Sequence, residues 1–442
     1  MGLKVAKFGG SSVADGIQLA KLKDIILKDE DIKYVVVSAP GKRFSQDSKL
    51  TDLLYATKVH IENNLPYEQL FQAIKDRFNA INLHLDTHVD LEPDYQKMIR
   101  KMEEGCSQDY IASRGEYLNA KIVAAYLGYD FVEVKDLIQF DEMGELLTEE
   151  TNEALKEELA KHEHAVVPGF YGSTPDGKVK TFSRGGSDIT GSLVAKAVGA
   201  DMYENWTDVS GFLVADPKIV DNPKPIGHIT FLELRELSYM GATVLHEDAI
   251  YPVRAAGIPI NIRNTNKPDD PGTIISDRVS EEHKDRIVTG IAGTKDFTVI
   301  AIHKNRLKSD RKFLRKLAGI LEDFELVLEH MPSSVDGASL IISRDEIGAR
   351  IGKLTDELER QLEASVEVLE DVALITTVGE GMVYRTGVSA RLFTSLAEAG
   401  VNIRIIDQGS NEYNIIIGVM NDDFEKAIRT IYKAFVEDED AA

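Results

Sequence analysis

At 442 residues the chain is long enough for about three domains of roughly 150 residues each, and so for a sizeable core. Apolar residues at 43% and charged residues at 28% belong to a folding globular chain rather than a disordered one, and a formal charge of −23 argues against nucleic acid or an anionic membrane as partner. The single cysteine, Cys106, excludes an internal disulfide and a cysteine-built metal site and fits a reducing cytoplasm, while "MGLKVAKFGG" lacks both an apolar leader and the Ser or Thr that myristoylation needs at position 6.

In chain order, the first expected strand is "LKVAKF". It runs through Lys7, Gly9, Gly10, Ser11 and Ser12 into a helix from about Asp15. Glycines at such a corner let phosphate oxygens approach backbone N–H groups, the helix start is the positive end of a dipole, and Lys7 adds a mobile cation. The corner is neither a Walker A loop nor Gly-x-Gly-x-x-Gly, and taken alone an ordinary tight turn explains it as well. The next strand, "YVVVSAP", is followed by Ser38, Gly41, Lys42 and Arg43, with Thr51 opening a helix. Residues 60–125 turn polar and helical in period, with Leu70, Phe71, Ile74, Phe78, Ile81 and Leu85 on one face; this is a helical excursion whose stripe reads as core. In "IASRGEYLNAK", Arg114, Gly115 and Glu116 are expected at a helix start. Glu116 is there either a first-turn acid favoured by the dipole or a carboxylate that meets an ammonium group.

Strands follow at "FVEV" and "AVVPGF". "KTFSRGGSDITGSL" then repeats the first corner, with Arg184 before Gly185, Gly186, Ser187 and Asp188 and a helix behind. An N-cap role accounts for Ser187 or Asp188 but not for the arginine. "ADMYENWTDV" ends at Thr207 and Asp208, with Asp216, Pro217 and Lys218 beyond a turn, and "IPINIRN" is a further strand. Strand, turn and helix in alternation make this region an α/β domain with a mainly parallel sheet, whose ligands bind beyond the carboxyl ends of the strands. Loops this rich in Gly, Ser, Thr and charge suit a nucleotide with a small polar co-substrate.

Residues 266–285 combine prolines, a glycine and a charge run and set a domain boundary near their end. Two similar passes follow. The first is "FTVIAIH", a helix "RKFLRKLAGILED", "FELVLEHM" and "ASLIIS"; the second is "VALITTVG", a helix "GVSARLFTSLAEAG", "VNIRIID" and "YNIIIGVM". Each is β-α-β-β with a following helix, a ferredoxin-like order, and a duplicated module of this kind is either regulatory or purely structural.

The ordered segments "KFGGSSV", "SRGE", "FSRGGSD", "WTDVSGFLVADP" and "GATVLH", with "GVNIRIIDQGSNEYNIIIGV" in the tail, resemble the amino-acid kinase family and within it the aspartate kinases with tandem ACT domains. The resemblance spans almost the whole chain. It implies an amino-acid kinase fold, a mainly parallel sheet sandwiched by helices, over 1–285, followed by two ferredoxin-like ACT domains at 286–368 and 369–442. It also implies transfer of phosphate from ATP, accompanied by Mg²⁺, to L-aspartate, at the head of lysine, threonine and methionine biosynthesis. By resemblance Lys7, Gly9, Gly10 and Ser11 meet the phosphates, and Thr207, Asp208, Leu213, Lys218, Thr243 and Val244 complete the ATP site. Ser38, Thr51, Glu116, Arg184 and Asp188 hold aspartate, and Lys7, Arg184 and Asp188 carry catalysis.

Three positions depart from the common pattern: Thr243 stands for a frequent lysine, Leu213 for a tyrosine and Lys218 for an arginine. Lys218, or Lys42 with Arg43, is the expected source of the missing charge. An amino-acid effector, L-lysine, is expected at Asp310, Phe313, Leu314, Val327, Glu329, Gln408, Asn411 and Asn414, where Asp310 and Glu329 are either attractors of a cation or ordinary surface acids. The resemblance further implies a homodimer through the ACT domains, or a dimer of dimers. The rival readings are another amino-acid kinase and a regulatory amino-acid-binding protein with an impaired kinase domain.

Overall fold

The structure, a computed structural model, describes residues 2–183, 185–241, 247–278, 286–383 and 385–438. The chain divides into two compact units, one of residues 1–212, 225–231 and 244–280 and the other of 213–224, 232–243 and 281–442. Among the described residues no helix is long and apolar enough to cross a membrane.

The first unit opens with β1 (Lys4–Phe8), α1 (Gly16–Lys28) and β2 (Ile32–Val37), then the helices α2 (Leu50–Glu62), α3 (Glu68–Leu85), α4 (Glu92–Glu103) and α5 (Gln108–Leu127). It continues through β3 (Asp130–Phe131), α6 (Thr148–Leu159), β4 (Ala165–Pro168), β5 (Tyr171–Ser173), β6 (Val179–Thr181), α7 (Gly186–Val198) and β7 (Met202–Thr207). After β8 (His228–Thr230) and α8 (Phe231–Tyr239), most of which lies in the second unit, come α9 (Glu247–Ala255), β9 (Ile260–Asn264) and β10 (Thr273–Ser276). Eight of these strands form one sheet in the order β3-β4-β2-β1-β7-β9-β10-β8, parallel except between β9 and β10.

A parallel sheet covered on both faces calls for largely apolar strands, and at the centre β1 buries Val5, Ala6 and Phe8 and β2 buries Ile32, Val35, Val36 and Val37, with Lys7 the charged exception among the buried residues. Helix boundaries follow local chemistry. The Asp15 carboxylate accepts from the Gln18 N–H at 2.9 Å to start α1, and the Ser107 hydroxyl accepts from Tyr110 at 3.1 Å to start α5. Helix α7 lies between Gly185 (φ +59°) and Gly199 (φ +64°), left-handed positions that favour glycine. The helical excursion packs Phe71, Ile74, Phe78 and Ile81 of α3 against α4, α5 and α1, as the stripe predicts.

Two expectations shift. "FVEV" contributes only Phe131 to the two-residue β3, and "TIIS", inside the stretch read as a boundary, is β10, paired antiparallel to β9. Short strands flanked by prolines and glycine carry too little periodicity to be read locally.

The second unit contains β11 (Gly290–His303), α10 (Phe313–Asp323), β12 (Gly337–Ser343), α11 (Arg344–Ile347), α12 (Ile351–Leu362) and β13 (Ser365–Val378). It closes with α13 (Val388–Glu398), β14 (Ile405–Asp407), β15 (Asn414–Met420) and α14 (Phe424–Tyr432). Its five strands run β12-β11-β13-β15-β14, so the two passes share one antiparallel sheet, joined where β11 pairs with β13 from Gly290↔Val378 to His303↔Ser365. "FELVLEHM" is not a strand: Glu325 enters at φ +51°, the Val327 N–H donates to Glu346 Oε2 at 3.0 Å, and only His330 bridges to Ile341. Its alternating Phe324, Leu326 and Leu328 still pack against the core formed by α10, α12 and β12.

Candidate active site

At the carboxyl ends of the central strands the expected corners meet. Lys7 lies opposite Val36 of β2 and Asn205 of β7 in the sheet register. Neighbours in register share a face, and Lys7 Nζ is 3.4 Å from Asn205 Oδ1 and ion-paired with Asp188 Oδ1. Asn205 Nδ2 donates to that same Asp188 oxygen at 2.8 Å. The first and second glycine corners, 176 residues apart in sequence from Gly9 to Gly185, are thus tied through one lysine, one aspartate and one amide.

The remaining loops are stitched to the first by their backbones. The Gly9 N–H donates to the Trp206 carbonyl at 2.9 Å, Ser38 to Phe8 at 3.1 Å and Gly41 to Gly10 at 2.8 Å. Ser12 Oγ donates to the Trp206 carbonyl at 3.3 Å and accepts from Thr265 Oγ1 at 2.8 Å. The Gly9 N–H is therefore already engaged by Trp206. A one-turn 3-10 helix, Gly10–Val13, precedes α1. Gly10 and Ser11 open that turn, so their N–H groups have no intrahelical acceptor.

Glu116 is not at a helix start, since α5 begins at Gln108; it sits in the third turn, where a first-turn dipole effect does not reach. The helix packs tightly on the loop after β2: a Cβ on Gly115 would lie 2.7 Å from that of Ala39, and Asn119 Nδ2 donates to the Ser38 carbonyl at 2.8 Å. Glu116 is buried, and burial pushes its carboxyl up to about 8 against the opposing pull of a hydrogen bond from the Ala39 backbone and of Arg114. Arg114 itself is buried among the rings of Tyr110, Tyr117 and Tyr171, at 4.8, 4.4 and 5.3 Å. Thr51 stands in the first turn of α2.

Neither Ser187 nor Asp188 caps α7. The cap is Gly185, without a side-chain bond, which leaves the Asp188 carboxylate to Lys7 and Asn205. Arg184, Thr243 and Val244 lie outside the described residues. Thr207 ends β7, with its Oγ1 donating to Asp208 Oδ1 at 3.2 Å.

Arg43 is not a spare cation. Its guanidinium is held by Asp47 through bonds of 2.9 Å to both carboxylate oxygens, and these bonds hold the Asp47 carboxyl well below the usual range. Asp47 is shared with Arg77 of α3, whose Nη1 donates to Oδ2 at 2.8 Å. Sequence reading missed Asp47, Arg77 and Asn205. Asn205 did leave a signal, because an amide inside a strand that is buried on both faces has to be explained.

In the second unit Leu213 is exposed and, with Pro217, Asp221, Asn222 and Pro223, lines a pocket of about 590 Å³ that Lys218 does not line. Among the effector candidates Leu314, Val327, Gln408 and Asn411 are exposed, whereas Phe313 is 2% exposed and packs in the core with Leu317 and Leu354. The Phe313 side chain therefore belongs to the core, and only its backbone is left to meet an effector. Asp310 pairs with Lys304 Nζ at 2.7 Å, Glu329 accepts from the Tyr239 hydroxyl, and Asn414, buried at the start of β15, donates to Glu236. Among the described residues no group of three His, Cys, Asp or Glu side chains is placed to hold a metal ion.

The sequence pattern of the amino acid kinase family matches residues 2–264, and that of the ACT domain matches 375–435. Aspartokinase 3 of Bacillus subtilis is 37% identical over 450 residues, covering 98% of both chains. The crystal structure of Clostridium acetobutylicum aspartate kinase superposes with a TM-score of 0.92 at 49% identity, over 98% of this chain and all of that one. Escherichia coli aspartokinase III, at 25% identity, superposes with TM-scores of 0.71 in complex with aspartate and ADP and 0.75 in complex with lysine and aspartate, over 98% of this chain and 99% of that one. A lysine cation and an aspartate joined at the carboxyl ends of a parallel sheet, with these likenesses over nearly the full length, place the chain in the amino acid kinase family, among the aspartokinases with C-terminal ACT domains, and make it a phosphotransferase.

Proposed function

We propose that the protein transfers the γ-phosphoryl group of ATP to the β-carboxylate of L-aspartate, giving 4-phospho-L-aspartate and ADP, in the cytoplasm and at the head of lysine, threonine and methionine biosynthesis. The observation that carries this reading is Lys7, held between Asp188 and Asn205 beside the glycine turn. A β-carboxylate with a pKa of about 3.9 is already ionised at neutral pH, so the reaction needs no general base. What it needs is alignment and neutralisation of charge on the moving phosphoryl group. Lys7 and the N–H groups of Gly10 and Ser11 supply that charge, with Gly9 allowing close approach. Mg²⁺ would arrive on the nucleotide, held by phosphates and water.

Arg184 would take the α-carboxylate of aspartate in a two-pronged bond. Glu116 and Asp188 would take the ammonium, with Ser38 and Thr51 at the same end. Thr207 and Asp208 would meet the nucleoside; Leu213, Lys218, Thr243 and Val244 are nucleotide candidates on the resemblance alone. When ATP enters, Lys7 would exchange its pairing with Asp188 for the phosphates and free that carboxylate for the substrate. The ADP and aspartate complex of the E. coli relative supports both substrates.

Regulation by an amino acid, with L-lysine tested first, fits ACT domains at 286–368 and 369–442, dimerised through those domains. An incoming lysine ammonium would take the place of Lys304 on Asp310, with Glu329 and the exposed Gln408 and Asn411 completing the candidates.

ADP release with aspartate, set against glutamate, carbamate and a nucleoside monophosphate and repeated with lysine, threonine and both, tests the whole reading. Lys7→Ala is expected to lower kcat by about 10²–10³-fold, as for loss of one preorganised charge in a transition state. Unchanged turnover in that variant would sink the phosphate assignment, and lysine binding without aspartate-dependent ADP release would favour a regulatory protein.

A further inference from the structure

The helical excursion carries one residue that core packing does not explain. Arg77 sits on the apolar face of α3 among Ile74, Phe78 and Ile81, and is only 4% exposed. An unpaired guanidinium there would be strongly destabilising, so its partners show what the site is built for. All of them lie on the single loop between β2 and α2: Nη2 donates to the Gly41 carbonyl, and Nη1 to Asp47 Oδ2 at 2.8 Å and the Ser48 carbonyl at 3.4 Å. Asp47 in turn fixes Arg43 on the same loop, accepting from its backbone N–H at 3.0 Å and from its side chain.

The far side of Gly41 abuts the glycine turn. Its N–H donates to the Gly10 carbonyl at 2.8 Å, and a Cβ placed on Gly41 would fall 2.5 Å from the Gly10 carbonyl and 2.9 Å from the Ser11 nitrogen. No side chain is interposed: the two backbones touch. A displacement of Gly41 is therefore transmitted directly to the Gly10–Ser11 peptide and so to the Gly10 and Ser11 N–H groups, which have no intrahelical acceptor.

We infer that Arg77 is a positioning residue for phosphate binding, acting from the helical excursion through Gly41 on the Gly10–Ser11 turn and clamped there by the shared carboxylate of Asp47. The inference rests on the phosphate reading of that turn and gives the excursion a part in the reaction beyond packing. A guanidinium suits the place because its planar fork serves the Gly41 carbonyl and the Asp47 carboxylate at once, which a lysine ammonium on a single stem cannot do.

The pocket beside it supplies a test that a purely structural arginine would not pass. Arg77 and Arg43 line a cavity of about 180 Å³ with Asp15 and His84, and Arg77 Nε is buried there without a partner. An added guanidinium ion can therefore reach the space that a truncated side chain leaves.

Steady-state kinetics with Arg77→Ala are expected to show KM for ATP raised between about tenfold and a hundredfold, the range expected for a misplaced binding group, with KM for aspartate little changed. Millimolar guanidinium chloride should restore KM for ATP, and an equal concentration of sodium chloride should not. Where Arg77→Ala does not fold, Arg77→Lys and Asp47→Asn, matched to wild type by thermal denaturation, are expected to raise KM for ATP in the same way. Wild-type KM for ATP in folded variants, or a defect that guanidinium leaves untouched, overturns the inference. Lys7→Ala run in parallel separates the two claims. If Lys7→Ala is impaired while the Arg77 variants are normal, only the positioning role fails; if Lys7→Ala is also normal, the phosphate reading of the turn has failed.

Discussion

Glu116 is the residue whose chemistry is most exposed to pH. A carboxyl raised to about 8 is protonated in the folded protein and ionised in the unfolded chain between about pH 4.3 and 8. Its contribution to stability is complete below the unfolded value and is lost as pH rises through 8. Under the proposed assignment, aspartate binding would work in the opposite sense, because an ammonium placed beside Glu116 would favour the ionised form and expel the proton. Calorimetry of aspartate binding in buffers of different ionisation heat should therefore register proton release near pH 7. KM for aspartate should fall as pH rises from 6.5 toward 8, by up to about tenfold per unit, the limit for one proton linked to binding. Glu116→Gln should raise KM for aspartate and flatten that dependence; a steep profile in this variant would place the titrating group elsewhere. Lys7, Asp188 and Glu116 were legible in the sequence because each sits in a short motif with a chemical rationale. Arg77 was not, since a charged residue within a helical stripe is recognised only when its partners, some thirty residues upstream, are seen.

At the scale of elements, long periodic stretches declared themselves and short ones did not. Helix α3 and strands β1 and β2 were visible as runs with a clear period, whereas β3, β8 and β10 depend on neighbours that a local pattern does not contain. The segment "FELVLEHM" shows the converse: its alternation is that of a strand, but a left-handed residue at its entry and the Glu346 carboxylate on its backbone take it out of the sheet. In the second unit the packing of α12 on the sheet rests on Leu354, Leu358 and Leu362, all fully buried. Leu358→Ala is expected to destabilise that unit by about 2–5 kcal/mol, the range for a buried leucine that leaves a cavity. Chemical denaturation followed by circular dichroism would measure it, and a loss below 1 kcal/mol would mean that the site collapses freely.

For the molecule as a whole, the shared sheet decides which truncations are meaningful. Ending the chain at residue 370 removes Val372–Val378 and β15, and so strips the first part of β11, Gly290–Thr294, of its partner. An exposed strand edge of that length invites pairing between chains. Light scattering of such a truncation is expected to show association rather than a clean kinase released from feedback. A monodisperse, active truncation would show that the two passes fold separately. Cutting near 285 has a different cost, because segments 213–224 and 232–243 pack with the second unit although they precede the boundary in sequence.

The sequence by itself determined the alternation of strand, glycine turn and helix, the duplicated tail, and the charged groups proposed for the site, because each is written in local periodicity or a compact motif. Only the tertiary structure decided which charges are free. Asp47 neutralises Arg43, Asp188 holds Lys7, Lys304 occupies Asp310, and Phe313 turns inward. Pairing and burial arise between residues distant in the chain, and they, rather than residue type, fix the charge that a ligand meets.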